Sequence, residues 1–566
     1  MTSDINMTSG INMASDVSTV IEGFVVKTRV TNAVVPDVDF VTFFSDVWQK
    51  HADQKALADV RLNMRYTFGE LLDTCHRVAA GLQKYGLRKG DVVAFHCVNS
   101  CELIVAMCGT YFAGGITCLI KTSLNEGEAR HQLMECQPKF VFFDIENMKK
   151  IMDACEYIAS VKMFFLTTGA CEGARNLSEL KQTPLGDHET NLNITARTVL
   201  AILFSSGSTG LPKGVVLTHG NLISHVVAHW YMNDPPVFEK GDVYLAIPPI
   251  MHVGGFWSAF CYLGLGCEVV LVHTWDFDVI LPAIEKYRPT MLGMLPTFIL
   301  KLDQHPLLEQ VDTSSVKKVM TGGSPVSSSL LRSVANKLGL RGIIQMLGMT
   351  ELAGCMTMSS PLGDDFKSLG KPVPFMEVKV IDMVTRKPLG PDERGEICIK
   401  GPCTFLGYLN KPKETADVYE DGFLRTGDMG YYSADGRIFV CSRYKELIKC
   451  MDQQVPPAEI EELLAADSQV QHVVVAGVPH AQYGEAARAF VVPRRRPEGP
   501  VEEQREADRL KQLVAGKLSH HKHLYGGVEF VESIPHTGSG SGKDRRQDLK
   551  NSYLRKCGQA GNNELE

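Results

Sequence analysis

A stretch rich in glycine and hydroxyl residues, at positions 203–214, is the part of this chain best suited to hold a polyphosphate. It reads LFSSGSTGLPKG and lies between two apolar runs. Glycines allow successive backbone N–H groups to point at one anion, hydroxyls add hydrogen-bond donors, and lysine adds a positive charge. The stretch therefore predicts a phosphate-binding loop, whose members are Ser205, Ser206, Gly207, Ser208, Thr209, Gly210 and Lys213.

This loop is not a Walker A motif. From Gly207 it reads GSTGLPKG, so the glycine before the lysine and the Ser or Thr after it are missing. The residues that follow, VVLT, predict a strand, whereas a Walker A loop leads into a helix. A flexible surface loop is the alternative interpretation, but the lysine and the flanking apolar strands favour a binding loop.

Three other positions carry side chains suited to chemistry, and each also has a structural interpretation. Glu351, which follows a threonine, offers the oxygen ligands that a hard cation prefers, but an acidic residue also suits the first turn of a helix. Asp428, in a Thr-Gly-Asp turn, could accept hydrogen bonds from two hydroxyls, although Asp is common in turns. His252 lies in an apolar segment, where a single histidine is more often structural.

Alternating helical and strand patterns between residues 67 and 346 must position these groups. One helix is predicted at 67–86, with Thr67 as its N-cap, and a buried strand at 140–143. Alternation of this kind predicts an α/β fold with mostly parallel sheets.

The chain changes character twice after this region. Short strands with Gly and Asp turns are predicted at 376–441, and a new pattern of mixed helices and strands begins after Ser442. The predicted organisation is a disordered tail, a large domain, and a small α+β domain joined by a hinge near Ser442. The corresponding ranges are 1–35, 36–441 and 443–556.

Composition excludes several classes of protein. The 566 residues are 44% apolar and carry 58 basic and 65 acidic residues, a net charge of −7, so a nucleic-acid partner is not expected. The 16 cysteines are scattered without a Cys-x-x-Cys pair, which favours reduced thiols. No apolar run reaches the roughly 18 residues of a transmembrane helix.

The ends of the chain give no targeting signal. The first 20 residues lack the cationic and apolar regions of a secretory signal, and the last residues, NNELE, lack the Ser-Lys-Leu peroxisomal address. A cytoplasmic location is therefore expected, with peroxisomal import by another route left open. Either a monomer or a homodimer is compatible with the sequence.

The stretch SSGSTGLPKGVVLTH resembles the signature of adenylate-forming enzymes, a superfamily that includes acyl-CoA synthetases, 4-coumarate–CoA ligases and luciferases. The resemblance extends from about residue 40 to residue 550 and implies a large N-terminal α/β lobe of several subdomains with a small, mobile C-terminal α+β lobe. Seven further motifs follow in the family's order: IMHVGGF (250–256), TGGSPVS (321–327), GMTE (348–351), RGEICIKGPCTFLGYLNKPKETA (394–416), FLRTGDMGYYSADGRIFV (423–440), SRYKELIK (442–449) and QVPPAEIEELL (454–464).

The resemblance implies a nucleotide site for ATP. The glycine-rich loop would hold the β- and γ-phosphates, Thr350 the α-phosphate, and Asp428 and Arg443 the ribose side. Thr209 and Glu351 would bind Mg²⁺. The remaining positions implied for the nucleotide or coenzyme A are Gly323, Ser324, Leu347, Gly348, Met349, Lys445, Lys449 and Gln454.

The resemblance also implies a two-step reaction at one site. A carboxylic acid would bind near His252, Phe256 and Gly348, and its carboxylate would attack the α-phosphate to give an acyl-AMP. Lys543 would neutralise the reacting phosphate, and the thiol of coenzyme A would then displace AMP. The apolar residues after His252 favour a fatty or aryl acid.

The chain departs from the family pattern at four places. Leu347 stands where a tyrosine often stacks on adenine, and Met451-Asp452 replaces the usual Lys-Gly. The loop that leads to Lys543 is two residues longer than usual, and the spacing after it is one residue shorter. These differences imply a largely complete adenylation site and an altered thioester-forming face.

Three functions therefore remain open. An ATP-dependent ligase that joins a hydrophobic acid to coenzyme A is favoured. A luciferase-like oxidation of an acyl-AMP is the second. The third is a degenerate relative that binds nucleotide or acyl groups without full turnover.

Overall fold

The structure is a computed structural model. It describes residues 17–31, 33–186, 189–205, 212–232, 237–324, 326–340, 342–363, 365–443, 446–451, 453–480, 482–535 and 545–556, with the backbone alone at 442–443 and 453–454.

The larger lobe extends to residue 443 and combines parallel and antiparallel strands with helices. Its strands are β1 (Val17–Glu22), β2 (Val25–Val30), β3 (Lys55–Asp59), β4 (Arg65–Thr67), β5 (Val92–His96), β6 (Ile116–Leu119), β7 (Phe140–Phe143), β8 (Met163–Leu166), β9 (Arg175–Asn176), β10 (Val199–Ser205), β11 (Lys213–Thr218), β12 (Val243–Ala246), β13 (Glu268–Leu271), β14 (Met291–Met294), β15 (Lys318–Gly322), β16 (Ile344–Met349), β17 (Gly354–Met358), β18 (Lys371–Pro372), β19 (Glu377–Ile381), β20 (Gly395–Lys400), β21 (Gly407–Tyr408), β22 (Tyr419–Glu420), β23 (Phe423–Tyr432) and β24 (Ile438–Arg443). Its helices are α1 (Phe40–Lys50), α2 (Phe68–Lys84), α3 (Cys101–Phe112), α4 (Glu126–Cys136), α5 (Met148–Cys155), α6 (Leu177–Lys181), α7 (His219–Trp230), α8 (Val253–Gly264), α9 (Phe277–Tyr287), α10 (Pro296–Gln304), α11 (Ser328–Lys337) and α12 (Pro412–Asp417).

Two large sheets organise this lobe. One has the order β21-β11-β10-β6-β5-β7-β8-β9, and the other the order β18-β17-β16-β15-β14-β12-β13-β3-β4. Strands β10, β6, β5, β7, β8 and β9 are parallel, as are β16, β15, β14, β12, β13 and β3. The predicted α/β fold with mostly parallel sheets is therefore confirmed.

Local sequence signals account for the helices that were predicted. The helix predicted at 67–86 is α2, which begins after Thr67 with a reciprocal capping box to Glu70. Gly86 follows its end with a φ of +97°, a conformation that favours glycine. The sequence VVLT forms part of strand β11, as predicted.

The main core lies where α1, α7 and α8 pack together, beside the two large sheets. Phe256, Trp257, Phe260 and Leu263 of α8 are all fully or almost fully buried. The ring of Phe260 packs against the ring of Phe40 in α1, with centroids 5.5 Å apart. The apolar character of this segment, which the sequence analysis attributed to a hydrophobic acid, is explained by core packing.

A third sheet corrects one prediction from the sequence. Residues 17–31 were expected to be disordered, but β1 and β2 form a hairpin that pairs with β19 in a seven-stranded sheet. Gly23 and Phe24 at its tip have φ values of +55° and +66°, as a two-residue turn matched to strand twist requires. Val26 anchors the hairpin because its side chain is fully buried. Residues 1–16 lie outside the described part of the chain.

Val26→Ala should lower the free energy of unfolding by about 2 kcal/mol, because it removes two buried methyl groups and leaves a cavity. Val17→Ala in the partner strand is the matched control, because Val17 is 38% exposed and should change stability by no more than about 0.5 kcal/mol. Urea unfolding followed by tryptophan fluorescence reports on this lobe, since all four tryptophans precede residue 443. Equal effects of the two substitutions would contradict an anchoring role for Val26.

The smaller lobe has a core of its own around a five-stranded sheet. Its strands are β25 (Ile448–Cys450), β26 (Gln453–Val455), β27 (Val470–His480), β28 (Gly484–Pro493) and β29 (Gly527–Phe530), and its helices are α13 (Pro457–Ala465), α14 (Gly499–Lys517) and α15 (Arg546–Lys556). The chain leaves the seven-stranded sheet at Arg443 and joins this sheet at Ile448. A domain boundary close to Ser442 therefore remains our prediction. None of the helices in the described ranges is long and apolar enough to cross a bilayer.

Candidate active site

Several predicted residues of the larger lobe lie at the carboxyl ends of the parallel strands. Ser205 ends β10, and Gly323 and Ser324 directly follow β15. Thr350 directly follows β16, which pairs with β15. Ligands in open α/β sheets bind at this end of the strands. The predicted residues therefore occupy the edge at which this fold places a binding site.

Lys213 and Glu351 are connected through Tyr408. The Lys213 ammonium lies 4.9 Å from the centroid of the Tyr408 ring, and the Tyr408 hydroxyl donates to Glu351 Oε1 at 3.0 Å. Strand pairing positions the tyrosine, because β21 pairs with β11 and aligns Tyr408 with Val215. The end of the predicted phosphate loop and the predicted metal ligand therefore share one site.

The Glu351 carboxylate has the properties of a cation ligand. Its residue is 6% exposed, and the carboxylate has no ion pair with any residue that the structure describes. A buried carboxylate without a cation is unfavourable, and Mg²⁺ takes oxygen ligands of this kind. Glu351 therefore fits the role predicted for it, while Thr209 lies outside the described residues.

Two hydrogen bonds to backbone carbonyl oxygens stabilise the turn that carries Thr350 and Glu351. Residues Thr350–Leu352 form a single 3₁₀ turn, and His225 of α7 bonds the Leu352 carbonyl oxygen through Nε2 at 2.6 Å. Burial lowers the pKa of His225 to about 3, so it is a neutral donor here. The Glu351 carbonyl oxygen accepts from the Phe405 amide at 2.9 Å. These contacts fix the turn independently of any ligand.

The residues predicted to contact the nucleotide base lie along β15 and β16. Gly323 is exposed with a φ of +92°, and Ser324 beside it is half-buried. Leu347, Gly348 and Met349 are all partly exposed in β16. A side chain at Gly348 would meet the Gly354 carbonyl oxygen at 2.4 Å, so the close approach of β16 and β17 requires glycine there.

Asp428 and Arg443 are direct neighbours across the antiparallel strands β23 and β24. Asp428 is 7% exposed, and its backbone amide donates to Thr426 Oγ1 at 3.0 Å. Gly427 before it has a φ of +71°, which lets the strand bend at this point. The register thus brings these two predicted residues together at the end of the larger lobe.

His252 begins helix α8 as its N-cap. Its Nδ1 accepts from the Gly254 amide at 3.2 Å, which leaves the proton of a neutral ring on Nε2. Burial and the nearby Lys121 charge lower the pKa of His252 to about 3. His252 is therefore a neutral hydrogen-bond donor that is partly exposed, whereas Phe256, one turn later, is fully buried in the core.

The small-lobe residues form a separate group. Lys449 is exposed in β25 and is directly opposite Gln454 of β26. The turn between these strands begins with Met451, whose φ of +54° is unusual for a residue other than glycine. The predicted residues that lie outside the described ranges are Ser206, Gly207, Ser208, Thr209, Gly210, Lys445, Asp452 and Lys543.

The sequence analysis missed three groups that build this site. Tyr408 was inside a quoted motif, but its bond to Glu351 depends on strand pairing. His225 was not singled out because its partner is a distant backbone oxygen. Asn99 follows β5 and bridges to the segment before His252, donating to the carbonyl oxygens of Ala246 and Pro248 and accepting from the Ile250 amide; these distances are 3.1, 3.0 and 2.8 Å.

Comparison with known families decides what this site is. The profile described as AMP-binding enzyme matches residues 44–409, and the profile of the AMP-binding enzyme C-terminal domain matches residues 459–541. The chain belongs to the AMP-binding enzyme family. This is the adenylate-forming superfamily that the sequence motifs indicated.

Individual relatives agree with this assignment over nearly the whole chain. 4-Coumarate–CoA ligase 3 of Arabidopsis thaliana is 32% identical, over 92% of this chain and 94% of that protein. Luciferin 4-monooxygenase of Nipponoluciola cruciata is 33% identical, over 86% and 89%. The ATP-bound structure of MatB from Rhodopseudomonas palustris has a TM-score of 0.80 at 27% identity and covers 91% of this chain and 99% of that one.

Membership of the AMP-binding family confirms the two-lobed fold predicted from the sequence. It also makes this chain an enzyme of the AMP-forming acid–CoA ligase type, a family that uses ATP and coenzyme A.

Proposed function

We propose that this AMP-binding enzyme activates a hydrophobic carboxylic acid as its acyl-AMP and transfers the acyl group to coenzyme A. The observation that carries this proposal is the contact between the phosphate-loop strand and the cation ligand. Lys213, Tyr408 and Glu351 form a continuous group, so a triphosphate and its metal ion would meet the same three side chains.

In the first half-reaction the carboxylate attacks the α-phosphate and pyrophosphate leaves. Lys213 and the loop before it would hold the leaving phosphates, and Thr350 would contact the α-phosphate. Asp428, whose carboxylate has two acceptor oxygens, would accept from the ribose hydroxyls. Glu351 would hold Mg²⁺, which supplies fixed positive charge to the phosphates.

His252 would orient the acid. As a neutral ring with its proton on Nε2, it can donate a hydrogen bond to the carboxylate without forming an ion pair that would weaken the nucleophile. Asn99 fixes the backbone two residues before His252 and so fixes the direction of this donor. The substrate carboxylate would then face the α-phosphate in one preferred orientation.

An aryl or fatty acid is the substrate class that we propose. A 4-coumarate–CoA ligase is 32% identical over nearly the full chain, which supports an acid of this kind. The apolar side chains after His252 do not support this substrate class, because Phe256, Trp257 and Phe260 are buried in the core. The size of the acid is therefore left to experiment.

A second candidate is an enzyme that forms acyl-AMP but transfers it poorly to coenzyme A. The specific observation is the turn after β25, where Met451 has a φ of +54° in place of the lysine of the usual Lys-Gly pair. A bulky side chain and the following Asp452 would crowd an anionic thiol substrate. A luciferase-like oxidation is supported by the luciferin 4-monooxygenase relatives alone.

A panel assay tests this proposal. The protein is incubated with ATP, Mg²⁺ and a series of fatty, benzoic and cinnamic acids, and pyrophosphate and AMP release are measured with and without coenzyme A. We expect pyrophosphate release with at least one acid and AMP release that depends on coenzyme A. Pyrophosphate release that coenzyme A does not accelerate would identify the transfer-deficient enzyme, and no release with any acid would refute the ligase proposal.

A further inference from the structure

A narrow cavity lies beside His252, at the carboxyl ends of both large sheets. It has a volume of about 60 Å³, and its walls come from the loops after β5, β6 and β13 and from the segment before α8. In one sheet β6 and β5 lie successively beyond β10, which leads into the phosphate loop. In the other sheet the strand order is β16, β15, β14, β12 and β13, and the Thr350 turn follows β16. The cavity therefore lies beside the strand that leads into the phosphate loop, because β6 pairs directly with β10 and aligns Leu119 with Leu203.

Lys121, directly after β6, lines this cavity. Its side chain is half-buried and has no hydrogen bond or ion pair with any residue in the described ranges. Burial lowers the pKa of Lys121 to about 8. Its charge reaches His252, whose pKa it helps to lower. An amine at this place is a basic group without a structural partner, next to the proposed reaction centre.

The other ionisable groups around the cavity leave Lys121 without a counterion. Two carboxylates nearby are already used: Asp144 accepts from the Val98 amide at 2.5 Å, and Asp59 accepts from the Cys101 amide at 3.0 Å. The Lys150 ammonium bonds the Thr122 carbonyl oxygen. Among the described residues, His252, His273 and Cys97 also face Lys121 or the cavity, and the charges of the Arg61–Glu146 ion pair reach His273.

Two of these groups are poorer bases than Lys121 for the proton of a thiol. Burial lowers the pKa of His273, and its Nδ1 is buried without a partner among the described residues. Burial raises the pKa of the Cys97 thiol, so it stays protonated. Lys121 is thus the basic group of the cavity that can exchange a proton near neutral pH.

We propose that Lys121 is a catalytic residue of the second half-reaction, in which it accepts the proton of the attacking thiol. This inference rests on the proposed function. The thiol sulfur forms a bond to the acyl carbon while its proton moves to Lys121 Nζ. The bond between the acyl carbon and the phosphate oxygen breaks, and its electron pair leaves with AMP. Lys121 then releases the proton to water at the cavity mouth, where Ser123 and Trp275 are exposed.

The pKa of the attacking thiol and the pKa of Lys121 are well matched. A free thiol has a pKa of about 8.5, close to that of the half-buried lysine. Proton transfer between groups of similar pKa is efficient, and a general base contributes about 10²–10⁴-fold to a rate. A volume of about 60 Å³ admits a thin thiol arm more readily than the ring of an aryl acid.

Lys121→Met and Lys121→Arg test this role through the separate half-reactions. Transfer from supplied acyl-AMP to coenzyme A should fall on the order of 10²-fold in both variants, because arginine keeps the charge but cannot accept a proton. ATP–pyrophosphate exchange should stay within about twofold of wild type, because the first half-reaction has no thiol proton to remove. Lys149→Met is the matched control, since Lys149 is an exposed lysine in α5.

Three results would overturn the proposal. Normal transfer in Lys121→Arg would mean that charge alone matters. Equal loss of exchange and transfer would indicate a structural role. If ATP–pyrophosphate exchange were lost with dicarboxylic acids but kept with monocarboxylic acids, Lys121 would instead hold a distal carboxylate of the acid.

A second measurement does not depend on turnover. Amine-selective labelling followed by mass spectrometry should show Lys121 reacting with a midpoint near pH 8 and should show coenzyme A protecting it, with Lys149 unprotected. Labelling that coenzyme A leaves unchanged would refute contact with the thiol substrate. Pyrophosphate exchange in the wild type tests the proposed function separately, and absence of thioester formation by the wild type would overturn this inference as well.

Discussion

Glu351→Gln should reduce ATP–pyrophosphate exchange by on the order of 10²-fold or more. The amide is the same size as the carboxylate and can still accept from the Tyr408 hydroxyl, so the Thr350–Leu352 turn should keep its structure. What it loses is the negative charge that would hold Mg²⁺ against the phosphates. The measurement is exchange of labelled pyrophosphate into ATP at saturating acid, over a range of Mg²⁺ concentrations.

Two comparisons make this prediction specific. Tyr408→Phe removes one hydrogen bond to Glu351 but leaves the charge, so it should cost no more than about tenfold. Higher Mg²⁺ should partly restore the activity of Tyr408→Phe and should restore Glu351→Gln much less. If Glu351→Gln retained most of its exchange activity, Glu351 would have only a capping role in the turn, which is the alternative that the sequence left open.

Local patterns explain why so much of the larger lobe could be predicted from sequence. The capping pair of Thr67 and Glu70 and the apolar runs at strands such as β7 depend on nearby residues alone. The alternation of such elements then restricts the fold to parallel sheets with crossover helices. Glycine-rich and acidic motifs between these elements fall at strand ends because that is where the chain turns.

Contacts between distant segments explain what the sequence did not reveal. Tyr408 reaches Glu351 only because β21 pairs with β11, and Asn99 reaches the segment before His252 only because the two large sheets lie together. The sequence around the β1–β2 hairpin did not indicate its order because β2 joins a sheet through β19, which is far along the chain. The apolar residues after His252 are a further example, since the burial of Phe260 against Phe40 of α1 depends on a distant helix.

Lys121 shows how burial creates a functional candidate that no motif contains. Nothing in the sequence around it distinguishes it from the other lysines, since it simply follows the apolar end of a strand and precedes Thr122 and Ser123. Its depressed pKa follows from three loops that converge at the carboxyl ends of two sheets. Perturbed titratable groups in a cleft are candidates for chemistry, and here the geometry beside His252 selects one half-reaction.

Lys543→Ala should abolish acyl-AMP formation, with a loss on the order of 10³-fold, and should leave transfer from supplied acyl-AMP nearly unchanged. The physical reason is that an ammonium group stabilises the charge on the reacting phosphate, which develops only in the first half-reaction. Lys543 lies outside the described residues, but both flanks of its segment are attached to the small lobe. The Arg545 amide donates to the Pro535 carbonyl oxygen at 2.7 Å, and the Arg546 guanidinium binds Glu461.

Because the Lys543 segment is attached to the small lobe, substitutions can impair one half-reaction without the other. A lysine carried by the small lobe can act only when that lobe presents it to the larger one, whereas transfer uses Lys121 in the larger lobe. The two variants Lys543→Ala and Lys121→Met should therefore fail at opposite steps, and mixing them should not restore turnover beyond what free acyl-AMP allows. Lys556→Ala is the matched control, because Lys556 is an exposed lysine of α15 paired with Glu529. Equal loss of both half-reactions in Lys543→Ala would rule out its assigned role.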